Sequence, residues 1–200
     1  MNKEERVWAF IDGQNLNLGT SKDVYKKGKL VYKGWKLDFQ KFRKYLLDKF
    51  RVGKAFIFIG YSNIYNDLYN HLKSCGYELV FKPTTKDENG KLKGNVDAEL
   101  VLNCSAIQYQ NYDKAIIVAG DGDYCCLLEF LESKNKLFKV IIPNQKSESS
   151  LLKSFQEYKV FIQSERAKLE HFQQPISILP NKKKRKKYKM IKKQKRKASL

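Results

Sequence analysis

Two apolar runs in this sequence lead directly into acid. The run at 7–11 (VWAFI) is followed by Asp12, and the run at 115–119 (AIIVA) leads through Gly120 into Asp121 and Asp123. An acid that closes a buried run needs a partner or a cation, because burying a bare charge is costly. In open parallel sheets, ligands bind in the crevice beyond the carboxyl ends of the strands. As neighbouring strands, the two runs would bring these three carboxylates together there. Like charges about 4 Å apart repel by ~4 kcal/mol at an effective dielectric of 20, and a hard divalent cation relieves that repulsion. All-oxygen ligands select Mg²⁺ or Mn²⁺. Asp97 opens a helical stretch (NVDAEL) beside its apolar face and makes a fourth acid of the set. Asn15, three residues after Asp12, is placed to orient a carboxylate or a water. Singly, Asp97, Asp121 and Asp123 would serve as helix caps. Two strand ends bearing acid exceed what capping requires.

Competing chemistries lack their residues. Cys75, Cys104, Cys125 and Cys126 have neither CxxC spacing nor nearby histidines, and His71 and His171 are too few for a zinc site. The thiols read as reduced and mostly buried, as in a cytosolic protein, with one of the adjacent pair 125–126 in the core. No Ser–His–Asp or Cys–His arrangement is apparent. A GxxxxGK[ST] loop is absent, and GDGDY is not a GxGxxG fingerprint.

The elements that must hold these acids follow from hydrophobic pattern. Runs at 55–59, 77–81, 137–142 and 160–162 join the two above as strands, mostly without alternation, as expected for a sheet covered on both faces. Between them lie helical stripes: Phe39, Phe42, Leu46 and Phe50 behind an Asp38 N-cap; 64–74 ending at Gly76; Val96, Leu100, Cys104 and Ile107; and Tyr124, Leu127, Leu128 and Leu131. Strand and helix alternate, which predicts a parallel sheet wrapped by helices. Two connections interrupt the rhythm: a Gly- and Lys-rich insertion at 18–36, and a segment at 83–94 whose Asn89 and Gly90 signal a tight turn.

The chain has 200 residues and a net charge of +19, carried unevenly. Residues 182–197 hold 12 basic side chains and no acidic one; residues 21–54 hold another 12 against three acids; the remainder is close to neutral. Such segregation points to polyanionic partners. In the insertion, Lys26, Lys27 and Lys33 interleave with Tyr25, Tyr32 and Trp35, a composition suited to backbone contact plus base stacking worth ~1–3 kcal/mol per base. The tail, with Lys183, Lys184, Arg185 and Lys186, is too charged to collapse alone and is expected to be disordered. No run approaches the roughly 20 apolar residues of a membrane span. The first ten residues lack a signal-peptide core, so a cytoplasmic setting and no membrane contact are expected. Self-association is left open.

The segments FIDGQNLNLG, KGNVDAELVLNC and AIIVAGDGDYCCLLEFL resemble, in order and spacing, the motifs of the NYN-domain family of PIN-like ribonucleases. That resemblance implies a three-layer α-β-α domain on a mainly parallel sheet of order 3-2-1-4-5. It implies that Asp12, Asp97, Asp121 and Asp123 bind metal with Asn15 in support, and that Lys93 and the segment 147–150, with Ser149, meet phosphate. The insertion and the basic tail depart from the family pattern. The expected organisation is a nuclease domain at 1–165, a linker at 166–180 and the tail at 181–200. The chemistry that fits is hydrolysis of RNA phosphodiester bonds, read as endonucleolytic, with Mg²⁺ or Mn²⁺ and no small-molecule cofactor. A PIN-like RNA-binding protein with little turnover and a DNA-directed nuclease are the alternatives.

Overall fold

Continuous apolar runs give strands whose alternate side chains enter two different cores. A computed structural model describes residues 4–82, 85–86, 92–93 and 96–172. Six parallel strands form the sheet: β1 (Val7–Asp12), β2 (Val52–Gly60), β3 (Glu78–Lys82), β4 (Lys114–Val118), β5 (Leu137–Ile142) and β6 (Lys159–Phe161), in the order 3-2-1-4-5-6. The run at 160–162 thus extends the expected order by one edge strand. On β1, Trp8 and Phe10 pack with Phe56, Phe58 and Ile117 on one face. Ala9 and Ile11 pack with Ala55, Ile57 and Val118 on the other.

Helices cover both faces: α1 (Gly13–Ser21), α2 (Phe39–Phe50), α3 (Asn66–Ser74), α4 (Asp97–Leu102), α5 (Cys125–Ser133) and the short α6 (Arg166–Leu169). The Asp38 side chain caps α2 by accepting from the Lys41 N–H. Val96, Leu100 and Cys104 are buried as their stripe requires, but Ile107 is 56% exposed. The chain beyond α4 continues as a π-turn, Asn103–Ile107. Its extra residue rotates the stripe away from the sheet. Of the thiols, only Cys104 is fully buried; Cys125 is half-buried and Cys126 exposed.

The segment at 18–36 is more ordered than a loop. Its first residues finish α1, and Val24–Lys26 then pairs antiparallel with Lys29–Tyr32. Lys27 and Gly28 at the tip both have positive φ, the backbone a two-residue hairpin turn demands. Gly34 brings the chain back so closely that a Cβ there would lie 2.0 Å from the Ser21 carbonyl oxygen. In the second connection Thr85–Lys86 pairs with Leu92–Lys93. The turn at 89–90, the Lys93 side chain and the tail residues 183–186 lie outside the described residues.

The body also runs past residue 165. Leu169 is buried, its carbonyl accepts from the Asp38 N–H at 2.9 Å, and the His171 N–H donates to Lys36 at 2.8 Å. Residues 166–172, expected as linker, therefore belong to the fold.

Candidate metal and nucleic-acid site

Neighbouring β1 and β4 place their carboxyl ends side by side, which sets Asp12 opposite the Gly120–Asp123 turn. Asp12 is 5% exposed and caps α1, one carboxylate oxygen accepting from the Asn15 N–H at 2.8 Å. The Asn15 side-chain oxygen accepts from the Gly120 N–H at 2.9 Å, tying the two strand ends together. Gly122 is held by packing: a Cβ there would fall 2.5 Å from the Ser149 hydroxyl.

Tyr124 joins the acids. Its hydroxyl lies 2.9 Å from Asp12 Oδ2 and 2.6 Å from Asp97 Oδ1. A phenol carries one proton to donate. Asp12 and Asp97 therefore share that single phenol proton. Burial raises the Asp12 pKa, and the nearby Asp97 charge adds to the rise against the opposing pull of the Asn15 N–H and the Tyr124 hydroxyl. Burial and the two carboxylates push the Tyr124 phenol far above its ordinary range, so it stays protonated. Tyr124 was legible only as a core position; its place one turn beyond the acids was the available signal. Replacing Tyr124 by Phe is expected to cost about 1–3 kcal/mol, the penalty for unsatisfied buried acceptors, in metal-free denaturant unfolding.

Asp12, Asp97 and Asp121 line one cavity of about 610 Å³ with Asn15, Lys22 and Asn144. Asp123 is exposed beside it, its N–H donating to Asp121 at 3.2 Å, and is not among the lining residues. Among the described residues, no three His, Cys, Asp or Glu side chains already form a chelating group. The donor set still suits a hard cation. Mg²⁺ is commonly held by one or two carboxylates, with waters and substrate phosphate filling its shell. Asn144, absent from the sequence reading, is 1% exposed just past β5, and its side-chain nitrogen has no partner among the described residues. Burial pushes the Cys104 thiol up to about 12, which leaves no thiolate for nucleophilic chemistry.

The basic hairpin rises from this cavity, since Lys22, Asp23 and Val24 at its root are part of the wall. Lys26 and Lys27 are exposed and carry no ion pair among the described residues. Lys33 pairs with Asp23 at 3.0 Å. The three rings expected to stack on bases are not presented together. Trp35 is 4% exposed and packs in the core with Leu16, Leu37 and Phe42, so no face is left for a base. Tyr32 is half-buried, its hydroxyl donating to the Thr20 carbonyl at 3.0 Å. Tyr25 is the exposed ring of the three. Ser149 packs under the Gly120–Asp123 turn, donating its N–H to Gly120 at 3.0 Å, while Ser147 reaches the cavity wall.

No helix among the described residues is long and apolar enough to cross a membrane. The search of curated proteins returned no match. Among solved structures, the chain is similar to a protein of unknown function from Vibrio parahaemolyticus RIMD 2210633. The two share 23% identity and a TM-score of 0.63, over 81% of this chain and 96% of that one. At that identity the likeness speaks for the fold alone. The model of the NYN domain matches residues 6–165, so the chain belongs to the NYN domain family.

Proposed function

We propose that this protein is a ribonuclease that hydrolyses RNA phosphodiester bonds endonucleolytically with Mg²⁺ or Mn²⁺. The observation that carries the reading is the pair Asp12 and Asp97 sharing one phenol proton in a cavity at the carboxyl ends of β1 and β4. Membership of the NYN family supports nuclease chemistry. Asp12, Asp97 and Asp121, with Asp123 at the exposed side, would hold the cation or its waters. The bound ion would supply an activated water and would neutralise charge on the phosphate. The chain's own residues do the rest. Asn15 fixes the distance between the strand ends, and Lys22, Lys26 and Lys27 offset the repulsion that clustered carboxylates exert on a phosphate backbone. Free thiols agree with a cytoplasmic setting.

The direct test is a matched pair of RNA and DNA oligonucleotides incubated with Mn²⁺, Mg²⁺ or excess EDTA. Cleavage of RNA with either ion and none in EDTA is expected. Undiminished cleavage in EDTA rejects the metal. Cleavage of DNA alone reassigns the substrate. Binding without turnover under every condition leaves an RNA-binding protein.

A further inference from the structure

α1 is a wall between two cavities. Asn15, Leu18 and Lys22 face the acidic one, whereas Gly13, Asn17 and Ser21 face a second cavity of about 720 Å³, and Gln14 borders both. The two differ in character. Ile57, Leu37 and Leu72, all buried, line the second cavity, and Phe39, Tyr65 and Leu68 add apolar surface at its sides. Tyr65 is 47% exposed and Leu68 36%, large apolar surface that no described residue covers. Both histidines of the chain stand at this cavity although 100 residues separate them in sequence. His171 is held there by Asp38, with Nδ1 3.5 Å from Oδ2.

An apolar cavity with a few polar groups at its rim, beyond the carboxyl ends of parallel strands, is the usual setting of a ligand site. Its occupant follows from its neighbour. A nucleic-acid strand that crosses α1 at Gln14 would carry a phosphate into the acidic cavity and the attached base over the wall into the apolar one. Single-stranded RNA is read by splaying bases onto aromatic and histidine rings, with amides meeting their edges. Tyr65, His71 and His171 supply rings, and Gln14 and Gln40 supply amides.

We propose that this second cavity takes one unstacked nucleobase of the RNA strand whose phosphate occupies the acidic cavity, an inference that rests on the ribonuclease reading above. The test is fluorescence anisotropy of the full-length protein in EDTA. It uses a dye-labelled single-stranded oligoribonucleotide and variants with one base removed at successive positions. Removal at one position is expected to weaken binding by about 5- to 150-fold, the range for a stacked base. Tyr65→Ala, at an exposed site, should weaken binding of the intact RNA by a similar factor and leave the matching abasic RNA unaffected. His71→Ala, also exposed, should act in the same direction.

Equal affinity for intact and abasic RNAs overturns the proposal, as does a Tyr65→Ala loss that is the same for both. Because binding is read without metal, the two readings fail separately. Metal-dependent cleavage without any abasic effect removes the base site alone. A base-dependent, Tyr65-dependent affinity without cleavage removes the nuclease reading alone.

Discussion

Asp12→Asn is expected to leave the chain folded, make it more stable without metal, and lower metal-dependent RNA cleavage by about 10³-fold or more. The activity loss follows from removing one ligand of an ion that contributes several kcal/mol of charge stabilisation, at tenfold in rate per ~1.4 kcal/mol. The stability gain follows from burial. The Asp12 pKa is raised from 3.8 in the folded chain, chiefly by desolvation. Between 3.8 and the raised value, the folded chain keeps a proton that the unfolded chain has released. The Asp12 contribution to metal-free stability is therefore present at low pH and is lost as pH rises through that window. Asparagine does not titrate, keeps an oxygen for the Asn15 N–H and offers an N–H to the Tyr124 oxygen. In denaturant unfolding, the stability advantage of the variant over the native chain should widen as pH rises across that range. Mn²⁺ should raise the melting temperature of the native chain only. A variant that cleaves within about tenfold of the native rate would sink the metal assignment.

Deleting 181–200 should produce the second large effect. Residues 182–197 carry 12 cations without an acid, more than any other segment of that length. Each phosphate neutralised on single-stranded nucleic acid contributes ~0.7 to the slope of log affinity against log salt. If about four cations engage, the slope should flatten by ~3 and affinity at low salt should drop by about 10²-fold. The rate at saturating RNA should not change, because every acid of the site lies in the folded body. An unchanged slope would reject the tail as a contact.

The sheet and the acids were legible for one reason: unbroken apolar runs mark strands covered on both faces, and a charge at the end of such a run marks the edge where ligands bind. Tertiary adjacency was not legible. Trp35 looked like an exposed ring among lysines, yet the close approach of Gly34 to Ser21 turns it into the core. Tyr124 looked like one more apolar position in a stripe, and only the neighbourhood of β1 and β4 brings its hydroxyl between Asp12 and Asp97. Asp123 shows the converse. Its spacing suggested convergence with the other acids, but the turn after Gly120 leaves it on the outside. α1 escaped notice because two glycines and five polar residues dilute its periodicity.

The two ends of the folded body lie toward opposite ends of the strands. At the start of β1, the Arg6 guanidinium grips both oxygens of Asp113 at 3.0 Å, about 20 Å from Asp12 at ~3.3 Å per strand residue. At the other end, His171 stands on the rim of the apolar cavity. The molecule therefore has a blind end and a working end. A fusion partner, affinity handle or surface tether joined before Arg6 would leave both cavities open, whereas one joined after Phe172 would crowd their mouths.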